Sequence, residues 1–290
     1  MELKRFVEIG TELRLISLIV SQHGEVIARH DWDDTCRRNI YSATKSFTSA
    51  AVGIAQREGL LSIDEKLTDA FPQELPETVS EHLAQATVRD LLTMQLGQDE
   101  AALMGAQRPD YAETDWIRMS LALPFTDAPG TRFVYNNVGP YLAGVLVQRR
   151  AGCDLASYLT PRLFEPLGIR KPLWEFDPLG YTFGAGGLFL NARELHQLGL
   201  LYLQEGLWHG KQLVPSQWVR ESSAKQAENG QFGYGYLFWL GEHNSYRADG
   251  KYCQWSVVLR DRDAVITVTA ECRDGERLNR AIFDEIYPQL

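Results

Sequence analysis

Strand-forming segments lie at both ends of this 290-residue chain, and helical patterns fill the stretch between them. Near the N-terminus, residues 16–20 and 25–29 flank His23-Gly24, where a tight hairpin turn needs residues that tolerate positive φ. Three further runs of this kind lie near the C-terminus, at 234–240, 255–260 and 264–270. Strands this far apart along the chain meet only in a sheet built from both termini. The predicted fold class is therefore α+β, an α/β sandwich with an antiparallel β-sheet flanked by helices.

The segment between the two sets of strands is predicted to be mostly helical. Ser42 opens an amphipathic stretch that ends before Gly59, a residue typical of helix C-termini. Capping-box spacings at 62–65 and at 87–90 predict two further helix starts. Additional helices are predicted at 139–150, 191–204 and 276–287.

These patterns divide the chain into two regions. We expect residues 60–169 to form an all-helical domain, and residues 1–59 together with 170–290 to form the sheet domain. The active site is then expected between the two regions.

Charge and hydropathy exclude two classes of partner. The formal net charge of −9 argues against a nucleic-acid partner, because a phosphate backbone needs a basic surface. The longest apolar stretch near the N-terminus, 16–20, is too short and too flanked by charge for a signal peptide or a membrane span. We therefore expect a cytoplasmic location and no membrane partner, while the oligomeric state stays open.

The four cysteines lie far apart and form no Cys-x-x-Cys pair. This spacing predicts neither a disulfide framework nor a zinc site, so buried free thiols are expected. No motif in the chain requires a cofactor or another metal. The cysteines are Cys36, Cys153, Cys253 and Cys272.

The Ser-x-x-Lys pattern occurs twice, at 42–45 and at 222–225, so its context must decide its meaning. Ser42 stands at a predicted helix start, and a spacing of three residues puts Lys45 one turn later on the same face. There, free backbone N–H groups and the helix dipole can stabilise an oxyanion. Ser222 precedes a polar stretch and is expected to be an exposed loop serine. The ordinary alternative for Ser42 alone is an N-cap serine.

Tyr135-Asn136-Asn137 is the one Tyr-x-Asn segment of the chain, and it is predicted to lie in a loop between two helices. A serine hydroxyl is a poor nucleophile near neutral pH and needs a neighbouring base. Lys45 can be that base if burial and nearby positive charge keep its amine neutral, and Tyr135 can pass the proton to the leaving group. Taken alone, Tyr135 is also compatible with a packed core aromatic.

In this order, the two motifs resemble the class C β-lactamase and family VIII esterase branch of the serine penicillin-recognising enzymes. The similarity extends from about residue 21 to the C-terminus, with the segments in the family's order. The resemblance implies that Ser42, Lys45 and Tyr135 are catalytic, that Asn137 contributes to substrate binding, and that no cofactor or metal takes part. The other similar segments are 91–94, 129–133, 164–169, 186–195 and 233–236.

The third motif of that family, usually Lys-x-Gly or His-x-Gly, has no strict match. The resemblance aligns Ala248-Asp249-Gly250 with it, so that Ala248 takes the place of the cation and Cys253 that of a glycine. Gly250 would let the backbone approach the substrate closely, and the N–H of Lys251 would join that of Ser42 as an oxyanion donor. An ordinary turn entering a strand is the alternative.

The resemblance implies a serine hydrolase that acts through an acyl-enzyme on a small ester or amide. A β-lactamase or a D-amino-acid peptidase or amidase is the alternative, and a penicillin-binding sensor or a non-catalytic scaffold is the alternative from another class. Because Ala248 cannot pair with a carboxylate, neutral substrates are expected to react better than anionic β-lactams. Arg247 and the Lys251 side chain are other possible cations, and the sequence leaves open which way either points.

Overall fold

The computed structural model describes residues 1–290, and a six-stranded antiparallel sheet lies at its centre. Its strands are β1 (Leu15–Gln22), β2 (Glu25–Asp31), β7 (Trp239–Leu240), β8 (Tyr246–Gly250), β9 (Gln254–Leu259) and β10 (Ala264–Ala270). Two short ribbons pair β3 (Arg38–Asn39) with β4 (Phe189–Leu190) and β5 (Leu207–Trp208) with β6 (Lys211–Gln212).

The order of strands across the main sheet is β2-β1-β10-β9-β8-β7. The N-terminal strand β1 pairs with the C-terminal strand β10, with Val20 opposite Ile266. The predicted α+β fold class, with an antiparallel sheet built from both termini, is therefore confirmed. The β1–β2 hairpin turns at His23 and Gly24, whose φ angles of 52° and 79° are left-handed.

Helices cover both faces of the sheet and fill the middle of the chain. They are α1 (Lys4–Glu12), α2 (Thr44–Arg57), α3 (Leu67–Ala70), α4 (Glu81–Gln85), α5 (Val88–Thr93), α6 (Trp116–Ala122), α7 (Val138–Ala151), α8 (Leu155–Leu159), α9 (Ala192–Leu203), α10 (Ser216–Ser222) and α11 (Gly275–Ala281). The predicted helices at 139–150 and 191–204 correspond to α7 and α9. The helix predicted at 276–287 corresponds to α11 and the wider turns Ile282–Ile286 that continue it. Helix α1 has no counterpart among the predicted elements.

One of the two predicted capping boxes is correct. Thr87 and Asp90 form a capping box at the start of α5, where the Thr87 N–H donates to Asp90 Oδ2 at 2.8 Å. The prediction at 62–65 is wrong, because the Ile63 and Glu65 carbonyls accept hydrogen bonds from the 88–89 backbone. Those bonds hold the segment in a turn, and no helix begins there.

The segment 234–240 contributes less to the sheet than its pattern predicts. Only Trp239–Leu240 (β7) pairs with β8. The N–H of Tyr236 donates to Ser222 O at 3.0 Å, and the N–H of Leu237 donates to Leu92 O at 3.1 Å. Leu237 also has a φ of 63°, which breaks an extended run. Tertiary hydrogen bonds to other segments thus replace the strand ladder here.

An apolar core lies on each face of the sheet. On one face, α1 and α11 pack against it through Phe6 and Leu278. On the other face, a larger continuous core joins Val265 of the sheet to Val52 of α2 and Leu146 of α7. This core fixes the start of α2 against both the sheet and the helical stretch. The boundaries at 59/60 and 169/170 stay a prediction.

A buried polar cluster connects α9 to the sheet. His196 Nε2 lies 2.8 Å from Ser21 Oγ, and His196 Nδ1 lies 2.8 Å from Thr267 Oγ1. Ser256 Oγ lies 3.0 Å from the same threonine hydroxyl. Burial lowers the pKa of His196 to about 4, so the imidazole stays neutral at physiological pH.

The expectation of buried thiols holds for two of the four cysteines. Cys253 and Cys272 are buried, whereas Cys36 and Cys153 are exposed, and all four are free thiols. The exposed pair lies in loops that the cores do not cover. None of the helices combines the length and the hydropathy that a bilayer crossing would need. The cytoplasmic location stays a prediction.

Candidate active site

A cleft of about 850 Å³ opens above the start of α2. Of the predicted site residues, Ser42, Tyr135, Asn137 and Lys251 line this cleft, and Lys45 lies buried directly beneath Ser42. Segments from the two ends and the middle of the chain therefore meet at one cavity.

Ser42 lies in a single 3₁₀ turn, Tyr41–Ala43, which leads into α2. The residue before it, Tyr41, has a left-handed φ of 48°, and its N–H donates to Asn39 Oδ1 at 2.7 Å. A left-handed non-glycine residue at such a site is a strained conformation that the surrounding contacts must maintain. Because α2 begins at Thr44, Lys45 falls in its first turn, with Nζ 3.1 Å from Ser42 Oγ.

The Lys45 amine is enclosed by three oxygen atoms. Its Nζ lies 3.1 Å from Ser42 Oγ, and it donates to Asn137 Oδ1 at 2.6 Å and to Ala185 O at 2.8 Å. Burial lowers the pKa of Lys45 to about 7, and the nearby positive charge of Arg108 acts in the same direction. A neutral amine has two N–H donors and one lone pair, which these three oxygens match. The lone pair is then directed at the Ser42 hydroxyl.

Asn137 fixes the orientation of this arrangement. Its Nδ2 donates to Leu103 O at 2.9 Å, which turns Oδ1 towards Lys45. The residue is buried and stands immediately before the first residue of α7. The side-chain amide therefore joins Lys45 to the loop that precedes this helix.

Tyr135 stands beside Ser42 and against an aromatic wall, with its ring centroid 5.1 Å from Lys45 Nζ. Its ring centroid lies 5.2 Å from that of Trp239 and 6.5 Å from that of Tyr234. Burial raises the pKa of Tyr135 well above its ordinary value; its hydroxyl contact with Ser42 opposes this, and the negative charge of Asp249 adds to it. The phenol consequently stays protonated at neutral pH and is placed as a proton donor.

Strand β8 runs beside the nucleophile segment, and Gly250 makes this approach possible. A Cβ atom at position 250 would lie 2.1 Å from Ile40 O and 3.1 Å from Ala43 N. The close approach to the chain before α2 therefore requires glycine at this position, and the approach of the backbone to a substrate stays a prediction. Lys251 follows directly in the chain. The backbone N–H groups of Ser42 and Lys251 donate to no loop, turn or side-chain acceptor.

Position 248 does not line the cleft. Ala248 is 1% exposed and belongs to the larger apolar core, because side chains alternate along β8. Its neighbours Arg247 and Asp249 line the cleft instead, and Arg247 Nε lies 2.8 Å from Asp249 Oδ2. The expectation that Ala248 disfavours anionic substrates is therefore wrong, because this residue lies in the core. Lys251 lines the cleft as well, so both Arg247 and Lys251 stay possible cations for a substrate.

The second Ser-x-x-Lys segment lies outside the cleft lining, but its serine is not exposed. Ser222 is fully buried at the end of α10, and its Oγ donates to Val219 O at 3.3 Å. Its carbonyl accepts the N–H of Tyr236, which covers this end of the helix. Lys225 is exposed and pairs with Glu228, so the serine and the lysine do not act together.

Arg108 lines the cleft and was not found from the sequence. Its guanidinium lies 4.4 Å from the Phe183 ring centroid, and its Nη1 lies 3.4 Å from Glu175 Oε2. No motif surrounds it, and only the folded chain brings this loop arginine near Lys45. The Ala185 carbonyl at Lys45 was likewise missed as a partner, although 186–195 had been noted for its resemblance.

A model of the Beta-lactamase family matches residues 4–286. The chain belongs to this family. It is the serine β-lactamase and penicillin-binding-protein-like family that the motifs resemble.

Curated relatives of this β-lactamase-family protein are longer than the chain. An uncharacterised protein of Alkalihalophilus pseudofirmus is 25% identical over 70% of this chain and 58% of its own length. A monacolin J acid methylbutanoyltransferase of Aspergillus terreus is 30% identical over 47% of this chain and 37% of its own length. The chain thus spans about half the length of these relatives or less.

Among solved structures, EstCE1, described as a hydrolase with promiscuous acyltransferase activity, superposes with a TM-score of 0.79. The match covers 98% of this chain and 97% of that one at 14% identity. This likeness bears on the fold, which the two chains share over nearly their whole lengths.

Proposed function

We propose that this protein is a serine hydrolase that cleaves a small ester or amide through an acyl-enzyme on Ser42. The observation that carries the proposal is the state of Lys45. Its Nζ lies 3.1 Å from Ser42 Oγ, its two other partners are acceptors, and its pKa is lowered to about 7. A base poised near the working pH is what general-base catalysis favours.

In the proposed acylation step, Ser42 Oγ attacks the substrate carbonyl carbon while its proton moves to Lys45 Nζ. The negative charge that develops on the carbonyl oxygen is stabilised by the backbone N–H groups of Ser42 and Lys251. Tyr135 donates its phenolic proton as the bond to the leaving group breaks, and is reprotonated from Lys45. Water then attacks the acyl-enzyme with Lys45 and Tyr135 as proton carriers, releasing the acid and free Ser42.

The cavity and the relatives support a small acyl substrate. A volume of about 850 Å³ lies in the range of small-molecule sites. The printed names of one structural neighbour and one curated relative, a hydrolase with acyltransferase activity and a methylbutanoyltransferase, both describe acyl-group chemistry. A β-lactam or a D-amino-acid amide would also acylate Ser42 by the same mechanism. The intact set of Ser42, Lys45 and Tyr135 argues against a non-catalytic scaffold.

The proposal is tested with p-nitrophenyl butyrate and a fluorophosphonate probe. We expect Ser42→Ala to lose both turnover and covalent labelling, because Ser42 is the one serine among the cleft-lining residues, which include no threonine or cysteine. Ser222→Ala is the matched control, since it removes the serine of the other Ser-x-x-Lys segment, and we expect it to keep both. Labelling that persists in Ser42→Ala would contradict the assignment. A single stoichiometric burst in the wild type would instead indicate a sensor that acylates and stalls.

A further inference from the structure

The cleft wall is cationic, although the whole chain carries a formal net charge of −9. Arg108, Arg247 and Lys251 line it together with Asp249, and the carboxylate of Glu175 lies next to Arg108, so three cations face two carboxylates. A cleft lined by an excess of charges of one sign concentrates ligands of the opposite charge. The wall therefore favours a substrate that carries negative charge.

The guanidinium of Arg247 already contacts other residues of the protein. Its Nε lies 2.8 Å from Asp249 Oδ2, its guanidinium lies 4.6 Å from the Trp255 ring centroid, and its Nη1 lies 3.5 Å from Asn279 Oδ1. A substrate carboxylate at this position would have to compete with Asp249. Arg247 is for that reason a poor anchor.

Arg108 has hydrogen-bond donors that no group of the protein uses. Its one ion pair, Nη1 to Glu175 Oε2, is 3.4 Å long, whereas strong charge-assisted pairs measure about 2.7–2.9 Å. Its Nη2 takes part in no hydrogen bond within the protein and is the donor left for a ligand, whereas Nε is buried. The Phe183 ring, 4.4 Å away, holds the guanidinium plane in place. A fixed guanidinium with unused N–H groups is suited to binding a carboxylate, often with two parallel hydrogen bonds.

The position of Tyr135 indicates which part of the substrate lies near Arg108. Tyr135 donates to the leaving group in the proposed mechanism, so the leaving group lies on the side of Tyr135 and Trp239, which stack at 5.2 Å. Arg108 lines the same cleft but packs on Phe183 and pairs with Glu175 instead of the two aromatic rings. The acyl part of the substrate is therefore the part that faces Arg108.

We infer that the substrate is an ester or amide whose acyl group carries a carboxylate, and that Arg108 binds this carboxylate. This inference rests on the proposed function. The reaction is the cleavage of a dicarboxylic acid half-ester or half-amide: Ser42 takes the ω-carboxyacyl group, the alcohol or amine leaves with a proton, and water releases the free dicarboxylic acid. Arg108 is then a specificity-determining residue for this enzyme.

Two esters of adipic acid test the inference. They are mono-p-nitrophenyl adipate, which carries a free carboxylate, and its methyl ester, which is neutral and otherwise the same. The measurement is the ratio of kcat/KM for the anionic ester to that for the neutral ester. Arg108 also lowers the pKa of Lys45, so replacing it changes the turnover of every substrate. The ratio cancels this shared effect.

We expect the wild type to favour the anionic ester, and Arg108→Gln to lower the ratio by about 10- to 100-fold, the range for loss of a charge-assisted hydrogen bond. Arg132→Gln is the matched control, because Arg132 is an exposed arginine outside the cleft wall, paired with Asp127 at 3.1 Å. Its ratio should equal that of the wild type.

Each of the following outcomes would overturn the inference. A wild-type ratio at or below one removes the carboxylate preference, and a ratio unchanged in Arg108→Gln removes Arg108 as its cause. A ratio that falls in Lys251→Gln but not in Arg108→Gln assigns the carboxylate to Lys251 instead. Turnover of the neutral ester in any of these cases leaves the proposed hydrolase function standing. If the wild type cleaves neither adipate ester, the inference fails; the proposed function fails only if p-nitrophenyl butyrate is not cleaved either.

Discussion

The most direct perturbation of the proposed base is Asn137→Asp, which exchanges one acceptor of Lys45 for a carboxylate of the same shape. Lys45 Nζ lies 2.6 Å from Asn137 Oδ1, and the pKa of Lys45 is about 7 instead of its ordinary 10.5. A shift of this size corresponds to roughly 5 kcal/mol in favour of the neutral amine. About half of the amine is then neutral at pH 7, compared with about 1 in 3,000 for an unperturbed lysine.

An adjacent carboxylate stabilises the charged ammonium, and opposite charges at this distance shift a pKa by about 1–3 units. The pKa of Lys45 in Asn137→Asp should therefore rise to about 8–10. Because the neutral amine is the active form, kcat/KM falls as the pH drops below this pKa. We expect activity at pH 7 to decrease about 5- to 500-fold and to return at high pH.

The assay is the pH profile of kcat/KM for p-nitrophenyl butyrate between about pH 5 and 10, since such a profile reports the pKa values of the free enzyme. The wild type should have a midpoint near 7, in line with the pKa of Lys45. Asn136→Asp is the matched control: its side chain contacts Val134 O and Gly139 N instead of Lys45, so its midpoint should move much less. Loss of the Asn137 contact with Leu103 O affects the height of the plateau and not its midpoint. A midpoint that stays near 7 in Asn137→Asp would refute Lys45 as the base.

Two further predictions concern the proton donor and the buried histidine. Tyr135→Phe should lower kcat by about 100-fold or more for an alkyl ester or an anilide, whose leaving groups need a proton, and much less for a p-nitrophenyl ester; equal losses for both would remove Tyr135 as the donor. His196 has a folded-state pKa of about 4, below its ordinary 6.5, so its contribution to stability is present above pH 6.5 and is lost as the pH falls towards 4. At about 1.4 kcal/mol per pH unit, roughly 2 kcal/mol should disappear between pH 7 and 5. Urea unfolding at the two pH values should show a smaller decrease for His196→Gln, and an identical decrease would contradict the assignment.

The sequence alone determined the features that depend on local geometry. A helix repeats its faces every three to four residues, so Ser42 and Lys45 had to share a face once a helix followed Ser42. Strand-like runs at both ends predicted an antiparallel sheet assembled from the two termini, and the structure pairs β1 with β10 in it. Thr87 and Asp90 predicted the start of α5 for the same reason, because a capping box is a contact within four residues.

Features that depend on contacts between distant segments were decided by the tertiary structure. Ser222 reads as an exposed serine from its neighbours, yet Tyr236 covers it. Ala248 was aligned with a substrate-facing cation, yet the register of β8 turns it into the core.

The chemistry of the cleft was decided in the same way. The lowered pKa of Lys45 depends first on burial and then on the charge of Arg108, a residue in a loop without any motif. Periodicity fixes which residues of one element share a face. The burial of a side chain, the electrostatic field around it and the residues that face it across a cleft arise only when separate elements pack together. They depend on atoms that are far apart in the chain.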